Sequence, residues 1–131
     1  MANSSTEITL LDGDRNIVVL ANGVLDTSNL AARTIIDVSA LVPAATGVRI
    51  DKVTYSISSQ LSMQIVWDAT ADVVALTLAG YGHFKFKHSA GLLQPTPPAA
   101  GSTGDIQILS TGWASGTQTY SLLIEAVKLG V

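Results

Sequence analysis

From Ile50 to Leu129 the chain alternates apolar and polar positions in short runs, each closed by a turn of Gly, Ala, Ser, Thr or Asp. A period of two places successive side chains on opposite faces of a pleated strand, so each run reads as a β-strand buried on one side. Val48, Ile50, Val53, Tyr55 and Ile57 share a face if a bulge near Asp51 and Lys52 corrects the register. Met63, Ile65 and Trp67 follow, then a turn over Asp68–Asp72, then Val74, Leu76 and Leu78. Phe84 and Phe86 point one way while His83, Lys85 and Lys87 point the other. A long loop with Pro95, Pro97 and Pro98 separates this run from Ile106 and Ile108. A Gly112–Gly116 turn then leads to a final strand over Thr119–Leu129.

The first part is less regular. Thr6–Leu11 and Arg15–Ala21 flank Asp12-Gly13-Asp14, a hairpin signal because Asp and Gly tolerate positive φ. Asn22-Gly23 repeats that signal before Val24 and Leu25. Thr27–Arg33 allows one helical turn, opened by Ser28 or Asn29 as a cap. Thr34–Leu41 reads as a strand closed by Pro43, which has no N–H to donate. The sum is an all-β chain: an antiparallel two-sheet β-sandwich or jelly roll of about eight or nine strands. Residues 1–26 are expected to form an N-terminal arm or hairpin and residues 27–131 the sandwich domain. On that division, removing residues 2–25 leaves a folded domain.

Composition changes the picture through its low charge. The 131 residues are 47% hydrophobic, ordinary for a globular domain, but only 13% charged against about 25% expected. A surface so poor in charge is weakly defended against association, which points to a subunit covered by neighbours. The seven basic residues are scattered and the net charge is −3, so nucleic-acid binding, which needs a clustered basic stripe, is not expected. No apolar run reaches the ~20 residues of a membrane span, and the first residues lack the charged and apolar regions of a signal peptide. The expectation is a soluble product made in the cytoplasm, with no membrane partner.

Candidate chemistry is sparse. His83 and His88 are five apart, so on a strand they face opposite sides and do not share a metal. Asp68 and Asp72 bracket a loop, but Ala69 and Ala71 offer no side-chain oxygen to a Ca²⁺, and a turn held by aspartate–backbone bonds fits better. No Gly-x-Ser-x-Gly elbow occurs, and Gly80-Tyr81-Gly82 opens no helix that would cradle a phosphate. The reading is therefore non-enzymatic, with no cofactor and no metal. Tyr81 and Trp113 sit beside glycines, where exposed rings would suit stacking on sugars. This makes a carbohydrate-binding module the competing reading.

The segments Ile65–Val73, Leu78–Phe86, Gly104–Gly112 and Thr119–Glu125 resemble small virion proteins of tailed bacteriophages, in particular capsid decoration or cement proteins. The resemblance covers about residues 50–128 and rests on strand-and-turn patterns. It implies a sandwich bound to the outside of an assembled capsid, often as a homotrimer at symmetry axes, with the major capsid protein as partner. The location implied is the exterior of the virion. A tail or head–tail component is the neighbouring alternative. The docking role is expected of the N-terminal segment, through Ile8, Leu10, Leu11, Ile17, Val19 and Leu25, which would pair with an exposed sheet edge. The Leu92-Leu93 pair before the proline-rich run is the second candidate contact.

Overall fold

A computed structural model describes residues 3–86, 91–94 and 100–129. Among these described residues, nine strands form two antiparallel sheets. They are β1 (Ser4–Asp12), β2 (Asn16–Leu25), β3 (Arg33–Ile36), β4 (Gly47–Ile57), β5 (Ser62–Trp67), β6 (Val73–Leu78), β7 (Tyr81–Lys85), β8 (Ile106–Thr111) and β9 (Gln118–Leu129). One sheet runs β1-β2-β9-β4-β7 and the other β3-β8-β5-β6. Leaving β1 aside, the orders 2-9-4-7 and 3-8-5-6 are the wind of an eight-stranded jelly roll. β1 is an addition on the outer edge of the larger sheet.

The inward faces of the sheets make one core. β2 contributes Ile17, Val19, Ala21 and Leu25; β9 contributes Leu122, Ile124 and Ala126; β4 contributes Val48, Ile50, Val53 and Ile57. Met63, Ile65, Trp67, Leu78, Ile106 and Ile108 close it from the smaller sheet. The expected bulge in β4 is present: the register to β9 shifts between Ile50 and Lys52, which keeps Val53 on the same face as Ile50. β6 departs from simple alternation. Its register to β5 slips between Ile65 and Val66, so Val74 turns outward and is 50% exposed while Val73 packs on the core.

Three local expectations are corrected. Asn22 and Gly23 are not a turn; they lie inside β2, opposite Thr6 and Ser5 on one side and Ser121 and Tyr120 on the other. The glycine serves packing, since a Cβ there would collide with the ring of Tyr120. Residues 27–33 form no helical turn. Asn29 Oδ1 instead accepts from Trp113 N at 2.9 Å and Ser110 Oγ at 3.2 Å, and Leu30 inserts into the core with its N–H bonded to Ser110 Oγ at 2.6 Å. The strand expected over 34–41 stops at Ile36. Asp37 then caps a single 3-10 turn at Val38–Ala40 through its bond from Ser39 N.

The expected division at residue 26 also fails to match the packing. β2 pairs with β9 from Asn16 to Leu25 and holds four core residues, so it is integral to the jelly roll. The boundary between core and addition falls within the segment 1–26, at the β1–β2 hairpin. Deletion of residues 2–25 is therefore expected to abolish cooperative unfolding, as followed by circular dichroism on heating, where the arm reading expected a folded remainder. A finer check is Gly23→Ala, expected to cost about 1–3 kcal/mol through overpacking. Tyr120→Leu should recover part of that loss in a double-mutant cycle measured by urea unfolding.

Candidate interaction surface

Strict alternation in β2 and β9 decides what the larger sheet shows on its outer side. Because Ile17, Val19 and Ala21 point in, Val18, Leu20 and Asn22 point out; because Leu122 and Ile124 point in, Ser121, Leu123 and Glu125 point out. The cross-strand registers extend these positions into rows. One row reads Ile8, Leu20, Leu123, Thr54, His83. The next reads Leu11, Val18, Glu125, Lys52, Lys85, and a third reads Thr6, Asn22, Ser121, Ser56, Tyr81. The face is thus divided. An apolar strip lies on β1, β2 and β9, a basic strip on β4 and β7, and a small-polar row ends in Tyr81, which is 87% exposed.

The sequence-predicted contact residues separate on this map. Ile8, Leu10 and Leu11 are 45%, 55% and 47% exposed on the edge strand, Leu10 at a bulge between Thr9 and Leu11. Ile17, Val19 and Leu25 lie in the core of their own sandwich, whereas the sequence reading placed them at a contact with another protein. Leu92 is half-buried and exchanges both backbone bonds with Ile50, so it continues the β7 edge of the sheet. Leu93 beside it is 52% exposed. Lys87, His88, Pro95, Pro97 and Pro98 lie outside the described residues. The outward Val18, Leu20 and Leu123 were missed by the sequence reading, although the alternation that buries their neighbours was the signal for them.

β1 is tied to the sandwich by two ion pairs. Asp12 Oδ1 receives Lys128 Nζ at 2.7 Å, and the same ammonium donates to the carbonyl of Pro43 at 2.9 Å. The Lys128 side chain is wholly buried, so its charge is compensated by this carboxylate and carbonyl. The hydrogen bond from Lys128, reinforced by one from Val42 N, holds the Asp12 carboxyl below the ordinary aspartate range. On the other side, Glu7 Oε1 accepts from Arg33 Nε, joining β1 to the smaller sheet. Between these ties lies a groove of about 410 Å³ with an apolar floor that includes Ile17, Val19 and Ile36 and a rim of Thr9, Asp12, Thr34 and Asp37.

Other candidate groups are structural. Asp72 Oδ1 accepts from Ala69 N and Asp68 Oδ2 from Thr103 Oγ1, so the two aspartates brace loops. Among the described residues, no group of three or more His, Asp or Glu side chains is placed to hold a metal. Trp113 folds back on the core and donates its indole N–H to the carbonyls of Leu25 and Gly116. Of the two rings considered for stacking, only Tyr81 stands free in solvent. Burial pushes the Asp105 carboxyl above its ordinary range, against the bond it accepts from Val38 N.

No family model matches the chain, and no curated protein does. Two solved structures share its general outline. A cupin superfamily protein from Desulfitobacterium hafniense DCB-2 aligns over 98% of this chain and 81% of its own, at 12% identity and a TM-score of 0.37. A CBM4 structure aligns over 95% of this chain and 94% of its own, at 13% identity and a TM-score of 0.33. At these scores neither carries an argument about activity.

Tyr120 gives a handle on this region. Burial, aided by the negative charge of Glu7, pushes its phenol up to about 12 from an ordinary value near 10. The folded state therefore favours the neutral phenol. Its contribution is fully present below pH ~10 and is lost as pH rises toward ~12. Absorbance titration at alkaline pH should show one late-ionising tyrosine, and the unfolding midpoint should fall across that interval. Tyr120→Phe is expected to flatten that fall.

Proposed function

We propose that this protein is a non-enzymatic structural subunit of a tailed-phage virion, a capsid decoration protein that docks on the outside of the assembled shell. The observation that carries the reading is the divided outer face: a sheet surface with an apolar strip, a basic strip and one free tyrosine. Such a face suits a shape-matched protein contact, with apolar area for affinity, Lys52 and Lys85 for registration, and Tyr81 as an aromatic anchor at its corner. The resemblance of residues 50–128 to cement proteins supplies the class of partner, the major capsid protein. A subunit that binds the closed lattice but not free capsid protein stabilises the shell by mass action. Many copies, each burying on the order of 1,200–2,000 Å², sum that effect over the particle.

The direct test is to mix the purified chain with capsids that lack it. Stoichiometric co-sedimentation, density on the outer surface and greater resistance of the particles to heat are expected. Tyr81→Ala combined with Lys85→Glu should weaken binding at least ten-fold while leaving the melting curve unchanged. Binding that is unaffected by these changes, or located in the tail, contradicts the reading.

A further inference from the structure

We propose that two copies of this chain pair through β1, antiparallel strand to antiparallel strand about a two-fold axis, joining their five-stranded sheets into one of ten. Among the described residues four sheet edges carry no further strand, β1 and β7 in one sheet and β3 and β6 in the other. Natural sheets protect free edges by keeping them short, charging them or bulging them. β7 has five residues and presents His83 and Lys85; β3 has four and begins at Arg33; β6 has six and is kinked where its register slips. β1 runs nine residues with no Lys, Arg or Pro, and its single bulge leaves Ser4–Thr9 in regular register. It is the long edge with the least protection.

Charge selects a second copy as the occupant. A two-fold contact sets a surface patch against its own copy, so a patch of uncompensated like charge repels itself. The two carboxylates of β1 are both taken up within the chain, Glu7 by Arg33 and Asp12 by Lys128. The basic strip of Lys52 and Lys85 would oppose itself across such an axis. So would the end of the sandwich carrying Asp37, Asp68 and Asp105, whose charges already bear on one another. The β1 edge meets its copy without that penalty, and it sets the exposed Ile8, Leu10 and Leu11 of both copies along one seam.

The area is that of a weak contact. A nine-residue strand is about 30 Å long and one sheet with its side chains about 10 Å thick, so edge-on contact of β1 buries roughly 300 Å² per copy, or roughly 600 Å² in all, with the four-residue β3 set back behind the groove. That is the size of a transient, concentration-dependent dimer. The paired sheet would present one continuous outer face, apolar at its centre and basic at both flanks. An isologous contact of this kind closes at two copies, whereas the resemblance implies three. The inference does not rest on the capsid reading, because the dimer is expected of the pure chain in solution.

Sedimentation velocity and light scattering on the full chain should give twice the chain mass, dissociating on dilution. The double variant Ile8→Lys, Leu10→Lys should weaken the dimer at least ten-fold with an unchanged circular dichroism spectrum, and Val74→Lys on β6 should leave it intact. If the lysines disturb folding, a single-cysteine scan over residues 4–11 serves instead, since the chain has no cysteine of its own. Oxidative cross-linking should peak at one position near the strand centre and fall away on either side. A monomer at all concentrations, a trimer, a dimer indifferent to the β1 lysines, or cross-linking that is absent or uniform along the strand each overturns the proposal. Tyr81→Ala with Lys85→Glu should keep the dimer, so failure of particle docking and failure of self-pairing are read separately.

Discussion

The inside–outside alternation of β9 from Tyr120 to Ala126 is the constraint on which the rest of the structure depends. This strand is bonded on both sides, to β2 from Gln118 to Val127 and to β4 from Tyr120 to Leu129. A slip of one residue would exchange Leu122 and Ile124 for Leu123 and Glu125 on the core side, burying a carboxylate and exposing two large side chains. Its register therefore fixes the registers of both neighbours, and through them the rows of the outer face. The bulge after Ile50 is the adjustment by which β4 keeps its own apolar positions in phase with that pattern.

Electrostatics adds a second constraint at the end of the same strand. At Ala126, Val127 and Lys128 the alternation gives way to three consecutive buried residues, the last of them charged. An ammonium buried there is tolerable only with a partner, and Asp12 at the end of β1 is that partner. The additional strand is thus held at one end by a pair reaching the last turn of β9 and near its middle by Glu7 and Arg33 reaching the opposite sheet. Those ties pair both carboxylates of β1 with cations of the same chain and leave its edge electrically quiet. The ion pairs that hold β1 in place are thus also what the pairing proposed for its edge depends on.

Much of the fold was legible from period-two runs. The strands at Met63–Trp67, Ile106–Ile108 and Thr119–Leu129, and the β4 bulge, all follow from side chains that must share one face. What was not legible depended on contacts between distant residues. Asn22-Gly23 carries the composition of a tight turn, yet Tyr120, 97 positions later, occupies the space that makes the glycine necessary within a strand. Asn29 has the chemistry of a helix cap, but its acceptor is used by Ser110 and Trp113. The same limit applies to the surface. Apolar residues at Ile17, Val19 and Leu25 were assigned to a partner because the N-terminal segment was read apart from the strand that buries them, while Leu20 and Leu123 went unnoticed as a cross-strand pair.

The basic strip argues that the outer face is shaped by something other than the stability of this chain. Lys52 and Lys85 lie directly opposite one another on β4 and β7, and like charges in that relation destabilise a sheet. Glu125 on the far side of Lys52 offsets only part of the repulsion, and among the described residues neither lysine has an ion-pair partner. An opposing surface that supplies carboxylates would turn the repulsion into attraction, and the neighbouring leucines would add apolar area to the same contact. On the docking proposed above, the cost borne by the isolated sheet is recovered at the contact. Within that proposal the β4–β7 half of this face selects the partner and the β1–β2–β9 half supplies affinity.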